Sequence, residues 1–363
     1  MSRLWKTTKV ILLSAVALLV VALGAVLGYR AYLQHANAKA IAIHAPNGID
    51  EGMYVKIGGI DQWIQIRGQD RNNPVLLCLH GGPGATWLPL TALFVPWEKE
   101  FTVVQWDQRG AGKTLEATGD SVADTMSVDR MTKDGIEVSE FLCGHLHKEK
   151  IIVLGHSWGT MLGIHMVKQR PELFYAYVGT GQVANMPKSM QMEHAYSLEK
   201  AQAAGDEQAI KELENIGQPH YDSLSKFQTH FKWLGRYEAE SDRVAESSLI
   251  GRLIFGAPNF SLRDINSRSR GFGEIPARRL YPEVLNADLP SLGTDFRVPI
   301  FFFQGREDGV TPSSLAREYF DEINAPHKEY VALDGVGHFA VWSMPDKFLQ
   351  ELVARVRPLA KRQ

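Results

Sequence analysis

Gly155-His156-Ser157-Trp158-Gly159 leaves the chain little choice of local structure. It directly follows the apolar run IIVL (151–154) and precedes a helix-capable segment. Glycines around a serine permit a tight strand-to-helix turn that aims the hydroxyl out of a sheet edge. The N-terminus of the next helix adds backbone donors and a dipole that favours developing negative charge. The plain alternative is a glycine-rich βα turn that carries no chemistry.

A second motif argues against that alternative. His80-Gly81-Gly82-Pro83-Gly84 follows another apolar strand, PVLLCLH (74–80). Acyl transfer needs donors aimed at an oxyanion, and an exposed glycine loop can present them. The Gly82 and Trp158 N–H groups are assigned that role. His80, at a strand end before a tight turn, reads as a ring that holds the loop rather than as a base. A hydroxyl nucleophile also needs a base, and the base an orienting acid. The base candidate is His338 in Gly335-Val336-Gly337-His338-Phe339; the acid candidate is Asp308 in Gly305-Arg306-Glu307-Asp308-Gly309. The order Ser157, Asp308, His338 is the one an α/β-hydrolase uses. Glu307, Asp334 and Asp295 are rival acids. Asp334 lies too near the base loop, and only geometry separates Glu307 from Asp308. His156 points away from an elbow apex and reads as structural.

The surrounding rhythm fits. Strand-like segments at 53–59, 61–68, 74–80, 102–107, 150–157 and 175–182 alternate with helical patterns around 87–99 and 128–146. Such alternation predicts a mostly parallel sheet covered by helices on both faces. From about 184 to 290 the chain is charged, helix-favouring and free of strong strand runs; 197–217 predicts two helices broken at a glycine. The α/β rhythm returns with a strand at 297–305, a helix near 313–323, a strand at 327–335 and a helix near 345–357. The expected organisation is an anchor and tether over 1–44, core over 45–184, a helical cap over 185–294 and core again over 295–363. A helical insert over a sheet top is a lid arrangement, and lids cover pockets.

The N-terminus is different in kind. Twenty residues from Val10 to Tyr29 carry no charge, enough for a helix of about 30 Å, the thickness of a bilayer's hydrocarbon core. The run exceeds the roughly 7–15 residues of a signal-peptide core, although Ala36-Asn37-Ala38 and Ala38-Lys39-Ala40 resemble cleavage sites. An uncleaved anchor is therefore expected, with secretion after cleavage as the alternative. Arg3, Lys6 and Lys9 before the span outnumber Arg30 and Lys39 after it, which places the N-terminus inside and the remaining chain outside the cytoplasm. Residues 30–48 read as a short polar tether. Gly24 and Gly28 form a G-x-x-x-G pair that reflects span composition.

Composition excludes other classes. With 39 basic against 41 acidic residues the formal net charge is -2, so nothing supplies the cationic surface that nucleic acid requires. Two cysteines, Cys78 and Cys143, make neither a disulfide scaffold nor a four-ligand zinc site, and no H-E-x-x-H or C-x-x-C occurs. No metal or cofactor is expected. Asp107-Gln108-Arg109-Gly110-Ala111-Gly112-Lys113-Thr114 ends like a phosphate-binding loop but has aspartate where the first glycine belongs. It reads as a turn stabilised by Asp107 and Arg109. Asn259-Phe260-Ser261 is a glycosylation triplet of a kind frequent by chance.

Taken together, H-G-G-P-G, D-Q-R-G-A-G-K-T and G-H-S-W-G resemble the prolyl aminopeptidase (proline iminopeptidase) family over about residues 50–183 and 295–360. The resemblance implies a serine hydrolase whose cap forms the substrate pocket and which releases N-terminal proline or a related residue from peptides. It implies Ser157 as nucleophile, Asp308 and His338 as its partners, and Gly82 with Trp158 as oxyanion donors. The family recognises the substrate's free amine with cap carboxylates, for which Glu193 is one candidate and Glu199 another; the plain reading of either is a solvated helix face. Two positions depart from the family pattern: His156 stands where glycine is common, and Thr114 replaces a serine. A carboxylesterase or lactonase on the same triad is the rival enzyme. An epoxide hydrolase or dehalogenase would place aspartate at the nucleophile position. The rival from another class is an inactive, membrane-tethered binding protein. Oligomeric state is not legible.

Overall fold

The computed structural model describes residues 3–219, 221, 223–237 and 250–360; the cap expectation over 238–249 lies outside the described residues. Among them one sheet has eight strands: β1 (Ile49–Ile57), β2 (Ile60–Gly68), β3 (Val75–Leu79), β4 (Thr102–Trp106), β5 (Ile151–His156), β6 (Phe174–Thr180), β7 (Ile300–Gly305) and β8 (Lys328–Leu333). The helices are α1 (Arg3–Ala40), α2 (Thr91–Phe94), α3 (Gly112–Thr118), α4 (Val128–His145), α5 (Trp158–Gln169), α6 (Met186–Ala204), α7 (Glu207–Ile216) and α8 (Leu224–Tyr237). They continue with α9 (Gly251–Gly256), α10 (Leu262–Phe272), α11 (Glu274–Ala277), α12 (Tyr281–Leu285), α13 (Ser313–Glu322), α14 (Ala340–Ser343) and α15 (Pro345–Glu351).

The strand order is β1-β2-β4-β3-β5-β6-β7-β8. The β1–β2 hairpin and the β2–β4 pair are antiparallel, and every later pair is parallel. β3, β4, β5 and β7 are buried throughout, because helices cover both sides of the sheet. Alternate residues feed opposite layers. Leu77, Leu79, Val153 and Phe302 join one core, and Leu76, Cys78, Leu154 and Phe303 the other. From β3 the chain crosses to β4 on one side and later to β5 on the other. Such a reversal leaves a crevice beyond the strands' carboxyl ends, where ligands bind in open α/β sheets.

Local chemistry sets the helix ends. Gly205 adopts a left-handed conformation that ends α6, and the Asp206 side chain caps α7 by accepting from Ala209 N, which accounts for the break within 197–217. The helical pattern at 87–99 is divided instead into α2 and two flanking 3-10 turns, with Pro89 inside the first turn and Pro96 at the division before the second. The last helix likewise shortens to α15 followed by π and 3-10 turns.

The first part of the expected tether is helical. α1 does not end with the apolar run but continues as helix to Ala40. Its first part is exposed from Val10 to Tyr29 and is long and apolar enough, by length and composition, to cross a membrane. Its last three turns dock on the end of α9 and the turn after it. Arg30 donates to Phe260 O, Gln34 Nε2 donates to Ala257 O at 2.8 Å, and Asn37 Nδ2 donates to Gly256 O at 2.8 Å. Positions 30, 34 and 37 share one helical face, so carbonyls more than two hundred residues away keep this polar stretch helical. Tyr29 and Phe255 extend the contact, with ring centroids 6.5 Å apart.

Candidate active site

Ser157 sits between β5 and α5 with φ 55 and ψ -123, a conformation costing about 1–3 kcal/mol that its surroundings enforce. Its N–H donates to Thr180 O at 3.1 Å, while its carbonyl accepts from Thr160 Oγ1 at 2.6 Å. The flanking glycines are sterically required. A Cβ on Gly159 would collide with Leu79 O, and one on Gly155 would lie 2.7 Å from the Gly159 carbonyl carbon. Trp158 opens α5, so its N–H belongs to the first helical turn, which lacks intrahelical acceptors.

The loop after β3 lies against this elbow; the nearest approach of an added Gly81 Cβ to Ser157 Cβ would be 3.0 Å. The buried His80 holds it. Burial pulls the His80 pKa down to about 4, so the ring is neutral at ordinary pH. Its Nδ1 donates to Gly81 O at 2.9 Å, and its Nε2 accepts from Gln108 N–H at 3.4 Å. Gln108 also donates to His80 O at 3.1 Å and accepts from Trp158 Nε1 at 2.9 Å, tying the loop to the elbow. Sequence reasoning passed over Gln108, whose signal was its place in the D-Q-R-G turn. In that turn Asp107 accepts from Thr86 and, at 2.7 Å, from Lys113 N. Arg109 bonds Asp134 at 2.8 Å. Burial pushes the Asp107 carboxyl up to about 6.

His338, on the loop after β8, places Nδ1 3.1 Å and 3.2 Å from the two Asp308 carboxylate oxygens. Asp308 is itself gripped, accepting from Thr311 N at 2.7 Å, Val310 N at 3.0 Å, Thr311 Oγ1 at 2.8 Å and Gln304 Nε2 at 2.8 Å. The rival acids face elsewhere. Glu307 is exposed, Asp334 pairs with Arg306 at the surface, and Asp295 accepts from Asn324. His156 joins the two loops: its Nε2 donates to His338 O at 3.1 Å, and its ring packs among Trp87, His338, Phe339 and Trp342. Burial, with His338 nearby, holds the His156 pKa well below the usual imidazole range. Gly181, after β6, leaves room for this ring pair; a Cβ there would lie 2.8 Å from His338 Cε1.

The cap candidates part company. Glu199 is exposed, but Glu193 is not on a solvated face: it is 1% exposed and carries an unusual network. Its Oε2 lies 2.8 Å from His230 Nε2, and its Oε1 has no hydrogen-bond partner. Burial and the Asp308 charge raise its pKa well above the usual carboxyl range, against a smaller opposite effect of His338. Both charges are near enough to act on Glu193. The network's other members, His230, Tyr221 and His194, escaped the sequence reading because they are scattered over 37 positions. Among the described residues no group of three or more His, Cys, Asp or Glu is arranged to hold a metal ion.

A strained hydroxyl at a helix start, an imidazole backed by a gripped carboxylate, and a glycine loop beside them are parts that nucleophilic acyl transfer uses. The family model described as the alpha/beta hydrolase fold matches residues 74–345. The probable aminopeptidase YbaC of Bacillus subtilis (strain 168) is 28% identical over 314 residues, covering 84% of this chain and 95% of that protein. A proline iminopeptidase of Lactobacillus delbrueckii subsp. bulgaricus is 25% identical over 306 residues, 83% of this chain and 95% of its own. Among solved structures, the proline iminopeptidase-related protein of Thermus thermophilus superposes with a TM-score of 0.61 at 20% identity, covering 86% of this chain and 99% of that one.

Proposed function

The chain belongs to the alpha/beta hydrolase fold family, and from that premise we propose that this hydrolase is a serine aminopeptidase that releases N-terminal proline or a similar residue from peptides. In this reading His338 Nε2 takes the Ser157 proton as the hydroxyl attacks the scissile carbonyl. Asp308 fixes the imidazole tautomer and stabilises the imidazolium that forms. The Gly82 and Trp158 N–H groups receive the oxyanion. His338 then protonates the leaving amine and activates the water that hydrolyses the acyl-enzyme.

The observation that carries the amine preference is Glu193, a buried carboxyl with one oxygen unpartnered, close enough to Asp308 and His338 to feel both charges. A buried acceptor without a donor costs about 1–3 kcal/mol, which a substrate ammonium would offset. The similarity to proteins named as aminopeptidases points the same way. The helices between β6 and β7, about residues 185–294, would act as the cap. The N-terminal helix would anchor the chain with its start in the cytoplasm and the hydrolase outside, following the excess of cations before the span.

The test compares prolyl and alanyl amides, their N-acetyl forms and short acyl esters on the full chain in detergent. Turnover of the free-amine substrates, lost on N-acetylation and abolished by Ser157→Ala, is expected. Equal turnover of simple esters would favour an esterase, and undiminished hydrolysis by Ser157→Ala would remove the nucleophile assignment.

A further inference from the structure

Behind Glu193 the cap holds a line of polar groups with no part in the mechanism above. His230 Nε2 is 2.8 Å from Glu193 Oε2, His230 Nδ1 is 2.9 Å from Tyr221 Oη, and the same hydroxyl is 3.2 Å from His194 Nδ1. Glu193 and His230 side chains are both fully buried. The groups facing Glu193 are His230 and Tyr221 within the cap, and Asp308 and His338 from the sheet loops. Those facing His230 are Glu193, Tyr221 and His194.

One set of donors satisfies the whole line while both members of the pair are neutral. Glu193 O–H donates to His230 Nε2, His230 Nδ1–H to Tyr221 Oη, and Tyr221 O–H to His194 Nδ1. Burial disfavours charge on both members of the pair, raising the Glu193 pKa and lowering that of His230. An ammonium beside Glu193 Oε1 reverses that balance, because a neutral carboxyl holds a cation poorly.

We propose that His230 is a positioning residue that takes the Glu193 proton when a cationic amine enters, so that the carboxylate charge forms only where it is partnered. In this step the Glu193 Oε2–H bond breaks and a His230 Nε2–H bond forms. The proton moves within one hydrogen bond and none leaves the protein. The other two hydrogen bonds keep their direction, and the imidazolium is held between the carboxylate and the Tyr221 oxygen. The inference rests on the amine-binding reading of Glu193 and adds how that charge is supplied among buried side chains.

Proton counting tests it. The full chain carrying Ser157→Ala is titrated calorimetrically at pH 6 with prolinamide and with N-acetylprolinamide, in buffers of different ionisation enthalpy. Binding of prolinamide is expected to release about zero protons, because the pair retains its proton. Adding His230→Gln keeps an N–H near Glu193 but removes the proton's destination. Release should then rise to about one proton, with affinity about tenfold weaker for each pH unit below the Glu193 pKa. Tyr221→Phe, which removes the imidazolium's acceptor, should fall between them and serves if the glutamine variant does not fold. Equal release from all three variants, with the amine still preferred, overturns the role of His230 alone. No preference for prolinamide over its N-acetyl form overturns the amine-binding reading and this inference with it.

Discussion

His156→Phe tests how the base loop is held. The substitution keeps an aromatic ring among Trp87, Phe339 and Trp342, whose centroids lie 5.8, 5.7 and 5.1 Å from that of His156, but deletes the N–H that reaches His338 O at 3.1 Å. A buried carbonyl left without its donor costs about 1–3 kcal/mol, so urea unfolding of the full chain in detergent should report a loss in that range. His156→Gly restores the residue commoner in the resembled family but also empties the ring's site. Its loss should approach about 3–5 kcal/mol, as for other buried rings removed from cores. Because the lost bond anchors the backbone of His338, kcat should fall more than stability requires. A displacement near 1 Å at a reacting group costs about a hundredfold, and a tenfold to hundredfold fall is expected for the phenylalanine variant. The acid limb of its pH–rate profile should stay at the same pH, because burial holds the His156 pKa well below the usual imidazole range and leaves that ring uncharged. Wild-type stability and rate in His156→Phe would refute the argument, and so would an acid limb displaced by a full pH unit.

Asp308→Asn should lower kcat about 10⁴-fold by stabilising the wrong His338 tautomer, whereas the exposed Glu307→Gln should change it less than about twofold; similar rates in both would return Glu307 to contention. Asp107 gives a pH signature in stability. Its folded-state pKa of about 6 lies above the ordinary 3.8, so the folded protein keeps a proton that the unfolded chain has lost. The wild type should therefore lose about 3 kcal/mol relative to Asp107→Asn as pH rises from about 3 to 7, about 2 kcal/mol of it between about pH 4 and 6, with no further divergence above that. Denaturation midpoints that run parallel between pH 4 and 7 would contradict this.

What the chain discloses before folding follows a physical division. β3, β5 and β7 were legible because fully buried strands must be apolar throughout, and the elbow because only glycine fits beside Leu79 O. Asp308 could not be told from Glu307, since neighbours on one turn differ only in which way the turn aims them. Gln108 and His156 were visible as motif members, but their partners lie 28 to 182 positions away. Glu193 looked like one more charge on a polar helix; it is buried against His230, 37 residues on, a partner that no local pattern announces. Residues 30–40 looked like a tether because polar composition is compatible with both coil and a docked helix, and docking decides between them.

That docked helix has a mechanical consequence. A flexible linker spanning 30–48 would let the hydrolase wander about 24 Å, root mean square, from its attachment. The eleven helical residues after Tyr29 instead form a stiff post of about 16 Å, and Arg67 grips the chain just beyond it at Ile41 O. With α1 in a bilayer, the crevice keeps one height and one bearing above the surface. It would then meet substrates by their lateral arrival at a fixed station rather than by its own search.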